Sequence, residues 1–180
     1  MTTFEIFAQA LGIIAMIFNI LSYQQKTAKG AMIIQFLGSL FFSMNFFMLG
    51  ATVGGIMNTI AMFRSVVFMN KKKLKADNIL WLIFFISLYV ISYILTFTVF
   101  NKEISLFNMI IEFLPIIGMT ATTISYRLQS AKAIRGFGLI SSPSWLIYNI
   151  INVAVGATIC EILTLCSIAI GIVRYDIKKK

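Results

Sequence analysis

Apolar runs of about twenty residues, parted by short polar breaks, make up nearly the whole chain. A helix crossing a bilayer needs about 20 mostly apolar residues. Seven runs approach that length: 5–24, 31–49, 52–70, 79–100, 105–126, 136–155 and 157–174. The breaks around Gly50 and Gly156 are so short that the runs on either side must pair as antiparallel hairpins. The longest polar stretch, Lys71-Lys72-Lys73-Leu74-Lys75-Ala76-Asp77-Asn78, divides the chain into halves. The pattern predicts an all-α integral membrane protein, one membrane domain over 1–180 with seven transmembrane helices.

The two halves resemble each other. Residues 11–29 read LGIIAMIFNILSYQQKTAK and residues 114–132 read LPIIGMTATTISYRLQSAK. At an offset of 103, Leu11, Ile13, Ile14, Met16, Ser22, Tyr23, Ala28 and Lys29 recur as Leu114, Ile116, Ile117, Met119, Ser125, Tyr126, Ala131 and Lys132. Shared hydrophobicity does not explain the Ser-Tyr and Ala-Lys pairs. Gly50-Ala51-Thr52 recurs as Gly156-Ala157-Thr158, an offset of 106 that implies a small insertion. The first repeat covers 1–70 and the second 105–174, with 79–100 as a connector helix between them. Three helices leave a direct copy inverted, and one added span restores its direction. The expected plan is two parallel three-helix repeats in a 3+1+3 order. Secondary transporters use such parallel repeats, with the site near the repeat interface.

Composition and charge fix the setting. The chain is 59% hydrophobic and 12% charged, against about 25% charged residues in soluble domains. Mean hydropathy is +0.93, and no globule of 180 residues has the interior to hide so much apolar surface. Net charge is +9, which on a soluble protein would suggest nucleic acid. Here the basic residues follow topology instead. With the N-terminus outside, fourteen of fifteen fall on the cytoplasmic side: Lys26, Lys29, Arg64, Lys71, Lys72, Lys73, Lys75, Arg127, Lys132, Arg135, Arg174, Lys178, Lys179 and Lys180. Lys102 is left outside. Basic residues gather in cytoplasmic loops, so the C-terminus is expected in the cytoplasm. Met1-Thr2-Thr3-Phe4-Glu5 lacks the basic start of a secretory signal, so the first run is expected to be retained.

Chemistry-bearing residues are few. There is no histidine, and Cys160 and Cys166 share one apolar run, where they read as small buried hydrophobes rather than a disulfide. The sequence holds no P-loop, HExxH or GxSxG motif and no paired cysteines with metal spacing. The chain is therefore expected to be no enzyme, to hold no cofactor or metal, and to bind no nucleic acid. Ionisable groups inside a span are expensive, so Glu112 and Glu161 stand out. Their repeat positions hold Gln9 and Asn58, and Asn45, Asn149 and Asn152 fall in the same outer half of the bilayer. Together they suggest a polar pocket between the repeats that takes a small polar solute. The plain alternative is interhelical bonding, at about 0.6 kcal/mol each. Trp145, at the repeat position of Phe42, would wall the pocket or simply pack. Pro115 removes a backbone hydrogen bond beside Glu112 and offers a hinge or a static bend. Arg64 is expected to snorkel to the headgroups, with an ion pair in a closed state as the sharper reading. Glycines at 12, 38, 54, 55, 118, 136, 138 and 171 permit close helix contact.

With its 3+1+3 plan, Pro115 in the first helix of a triplet and a Gln/Lys-rich first loop, the chain resembles the SWEET and PQ-loop superfamily. More closely, Glu112-Phe113-Leu114-Pro115-Ile116-Ile117-Gly118, Gly156-Ala157-Thr158-Ile159-Cys160-Glu161 and Arg64 resemble the bacterial inner-membrane YgjV family over nearly the full length. It departs from the PQ pattern at Gly12, in the repeat position of Pro115, and at Tyr23-Gln24 and Tyr126-Arg127, where Pro-Gln would stand. The resemblance implies a multi-pass protein of the bacterial inner membrane. The expected function is a small-solute transporter working by alternating access between two three-helix bundles. The alternative is a non-transporting membrane partner or regulatory protein. Seven helices suffice for a pathway within one chain.

Overall fold

The computed structural model describes residues 3–48, 52–151 and 155–177. Among the described residues the chain is all helix, with no strand. The long helices are α1 (Thr3–Ser22), α2 (Ala28–Met48), α3 (Thr52–Met69), α5 (Ile79–Thr98), α6 (Leu106–Leu128), α7 (Ala131–Ile151) and α8 (Val155–Ile172). A single turn, α4 (Lys71–Leu74), follows α3, and α8 runs on into a π-helical turn at Val173–Ile177. Four stretches are long and apolar enough to cross a membrane: Ala28–Met48, Ile79–Thr98, Leu106–Leu128 and Ala157–Ile177. Ile6–Ser22 and Gly55–Met69 are apolar but shorter. In α7 the charges of Lys132 and Arg135 and the serines at 141, 142 and 144 dilute the apolar run.

Local chemistry sets the helix starts. Thr27 Oγ1 accepts from Gly30 N at 3.1 Å, and Ser130 Oγ accepts from Ala133 N at 3.4 Å, as N-capping hydroxyls do. These caps place the starts of α2 and α7 earlier than the expected 31 and 136. The basic residues there read as loop, yet Arg135 is buried and paired, so its charge does not end the helix. The helices keep the repeat in register. α2 and α7 start 103 residues apart. At that offset Asn58 corresponds to Glu161.

Helices α1, α2 and α3 pack in sequence, as do α6, α7 and α8. Across the two sets, α1 meets α8, α3 meets α6 and α2 meets α7. Exchanging the halves maps this set of pairings onto itself. Helix α5 lies outside, against α6 and α3. Ile79, Leu80, Ile83, Phe84, Val90, Ile91 and Ile94 are exposed on it, while Ser43, Asn45, Arg64, Thr123, Ser142 and Asn149 are buried inside the bundle. That polarity is the reverse of a water-soluble bundle and suits a surface wetted by lipid. Cys160 is buried but Cys166 is exposed, so the expected burial holds for one of the two. Gly38 brings α2 against the α1 backbone, where an added Cβ would sit 3.3 Å from Ala15 O. Gly136 has open space beside it and makes no such contact.

One end of the bundle is tied by polar bonds between chain reversals. Lys71 Nζ donates to Arg127 O at 3.1 Å, Arg127 Nε to Asp77 O at 3.0 Å, and Gln129 Nε2 to Phe68 O at 2.8 Å. Arg135 Nη1 donates to Gln25 O at 3.1 Å. Lys71, Arg127 and Arg135 thus share one end, called here the basic end.

Candidate functional site

Six helices surround a cavity of about 150 Å³ at the interface of the two triplets. That volume matches an engineered cavity that takes up benzene, so a solute of about six non-hydrogen atoms fits. Its lining follows the repeat. Asn19 and Thr122, Tyr23 and Tyr126, Ser39 and Ser142, Phe42 and Trp145, Phe46 and Asn149, and Asn58 and Glu161 all face it, each pair 103 residues apart. Gly38 with Ser141 and Met57 with Cys160 add two further pairs. Sixteen of the twenty-one lining residues fall into such pairs.

Hydroxyl and aromatic groups seal the cavity toward the basic end. The Tyr126 hydroxyl donates to Gln35 Oε1 from across the interface. Tyr126 and Tyr23 are both buried. At the position equivalent to Gln35 stands Gly138, where an added Cβ would come within 2.8 Å of Tyr23 Cε1. The lack of a side chain at 138 therefore makes room for the Tyr23 ring.

Arg64 does not snorkel. It is 4% exposed and lines the cavity. Its Nη1 donates to the Tyr89 hydroxyl at 3.1 Å, to Met119 O at 3.2 Å and to Thr123 Oγ1 at 3.3 Å. The guanidinium lies 4.9 Å from the centre of the Tyr126 ring. Its Nε is buried with no hydrogen-bond partner. On the cavity's other wall, Glu161 Oε2 accepts from Ser142 Oγ. Among the described residues the ion pairs are Lys102–Glu112 and Arg135–Asp176, so neither Arg64 nor Glu161 has a partner of opposite charge.

Of the residues singled out from sequence, Glu161, Asn58, Asn149 and Trp145 come together on this cavity. Glu112, Gln9 and Asn45 do not line it. Glu112 is buried in α6 and paired with Lys102. Asn45 Nδ2 donates to Ala8 O at 2.7 Å and ties α2 to α1, and Gln9 is exposed on α1. Asn45 thus serves a helix contact, as bonding of amides between membrane helices does, and Glu112 an ion pair. Asn152 lies outside the described residues. Pro115 is buried inside α6. One turn on, Gly118 lets Trp145 approach, since a Cβ there would sit 3.0 Å from Trp145 Nε1. The sequence did not single out Tyr23, Tyr126 and Ser142 as site residues, and it placed Arg64 at the headgroups or in an ion pair, neither of which is observed among the described residues. The signal for Arg64 was its face: Met57, Ala61, Arg64 and Phe68 form one helical stripe, buried throughout.

A family model of bacterial inner membrane proteins matches residues 6–179, nearly the entire chain. The chain belongs to the YgjV family. Membership agrees with the lipid-suited exterior and the apolar helices long enough to span. As a bacterial inner membrane protein, it contacts the lipid bilayer. No curated protein and no solved structure matches the chain.

Proposed function

We propose that this YgjV protein is a small-solute transporter with seven spanning helices in a 3+1+3 order, related in plan to the SWEET and PQ-loop superfamily. The observation that carries the reading is a cavity lined by eight repeat-related pairs from six helices, with amide, hydroxyl and charged side chains set among apolar ones. Two halves that meet around a shared site can rock about it, and that motion exposes the site to each side in turn. Counting all seven helices as spans, the basic end is cytoplasmic. The Tyr126–Gln35 bond and the Arg64 cluster then close the inner side. Pro115 in α6 and Pro143 in α7 each remove a helical hydrogen bond and give the second triplet places to bend.

The test is counterflow into proteoliposomes, with purified protein and a panel of sugars, nucleosides, amino acids and other small polar solutes. Saturable exchange of one class, reduced in Glu161→Gln, is the expected result. Folded protein that exchanges nothing on the panel would sink the proposal and favour a partner protein without transport.

A further inference from the structure

The cavity is symmetric in position but not in charge. Arg64 corresponds to Ser167, which lies away from the cavity and donates to Ile20 O at 2.7 Å in α1. Glu161 corresponds to Asn58. Each triplet thus contributes one charge that its repeat lacks, positive from α3 and negative from α8. Arg64 is buried and Glu161 half-buried, and both line the one cavity.

The two charges do not neutralise each other. Arg64 comes twelve residues after the start of α3, and Glu161 six after the start of α8. With 1.5 Å of rise per residue, their backbones differ in level by about 9 Å. An enclosed charge without a counter-ion is unfavourable, and Arg64 Nε lacks even a neutral acceptor. The site therefore presents a guanidinium at its inner end and a carboxylate nearer the opposite end, with space for about six non-hydrogen atoms.

We infer that the cavity takes a small zwitterion, its carboxylate toward Arg64 and its ammonium toward Glu161. A guanidinium is suited to a carboxylate by its planar set of donors. Glu161 accepts from an ammonium with the oxygen lone pairs that Ser142 leaves over. Trp145, Phe42 and Met57 supply the apolar wall for the carbon between the two charges. The inference rests on the reading of this cavity as the solute site.

The experiment uses the full chain in nanodiscs, followed by thermal unfolding. The zwitterions are glycine, L-alanine and γ-aminobutyrate. The controls are propionate, propylamine and glycerol, which carry one charge or none. At least one zwitterion is expected to raise the unfolding temperature saturably, and the controls to do so weakly or not at all. Glu161→Gln and Arg64→Gln should each weaken that binding about tenfold or more. Arg64→Lys, which keeps the charge, should retain part of it and guards against a folding defect in Arg64→Gln. A control that binds as well as any zwitterion overturns the inference, as does zwitterion binding unchanged in both Gln variants. Absence of zwitterion binding by cooperatively unfolding protein also overturns it. Counterflow with the same compounds separates this from transport. A zwitterion that binds but is not exchanged supports the inference and removes the transporter reading. Exchange of glycerol alone keeps transport and removes the zwitterion.

Discussion

Two buried arginines show how differently one fold treats a charge. Arg135 is fully engaged: Nε donates to Asp176 Oδ2 at 2.9 Å and Nη2 to Oδ1 at 2.6 Å, a bidentate pair, with Nη1 on Gln25 O. The Tyr175 ring stacks within 5.6 Å of it. Arg64, equally buried, meets hydroxyls, one carbonyl and a ring, and leaves Nε unpaired. The carboxylates divide in the same way. Glu112 faces Lys102, whereas Glu161 faces a serine. Of these four side chains, Arg135 and Glu112, paired within the chain, sit away from the cavity, and Arg64 and Glu161, which have no partner of opposite charge among the described residues, line it. A paired charge holds the chain together, whereas an unpaired one enclosed beside a cavity is suited to a partner from outside.

The sharpest way to break the contrast is at Asp176. Asp176→Asn leaves Arg135 enclosed without its counter-ion, and removing one member of a buried pair costs about 3–5 kcal/mol. The unfolding temperature in nanodiscs should fall steeply. Arg135→Met combined with Asp176→Leu should recover most of the loss, because no orphan charge remains. A small loss in Asp176→Asn would show that Arg135 is no better satisfied than Arg64. The matching change at the other arginine should act on binding instead. Arg64→Met removes an uncompensated charge, and the hydroxyls it leaves stay paired, Tyr89 with Thr123 at 2.9 Å and Thr123 with Met119 O at 2.8 Å. Stability should hold or rise, while affinity for the zwitterion drops by about 1.5–3 kcal/mol, the value of a hydrogen bond to a charged group. Calorimetric titration and thermal unfolding on one preparation read both.

Much of this plan was legible in the sequence. The recurrence of Ser22-Tyr23 as Ser125-Tyr126 revealed the repeat, and Tyr23 and Tyr126 prove to be a buried pair closing one end of the cavity. Glu161 and Asn58 stood out because a span rarely carries them. Less legible was which in-span charge had a partner. Lys102 and Glu112 lie ten residues apart, yet only the path from α5 into α6 brings them together. Arg135 and Asp176 are 41 residues apart, and nothing local foretold their pairing. Arg64 was misread because its depth allowed two outcomes, reaching the headgroups or turning inward. The packing of α3 against α6 and α5 decides between them.

The last contrast is between the two glutamates, and the same substitution tests both. Glu161→Gln keeps the size of the side chain and an oxygen to accept from Ser142, so stability should change by less than about 1 kcal/mol. Binding of an ammonium group should weaken about tenfold, because the charge it met is gone. Glu112→Gln should do neither. Lys102 is 31% exposed and keeps access to water or headgroups when its partner is neutralised. The pair therefore resembles a surface ion pair more than a buried one, at about 0–1 kcal/mol. Affinity should be unchanged, since Glu112 does not line the cavity. The comparison fails if Glu112→Gln weakens binding as much as Glu161→Gln does. Both carboxylates would then act on the solute, and the separation between structural and solute-facing charges would not hold at this end of the bundle.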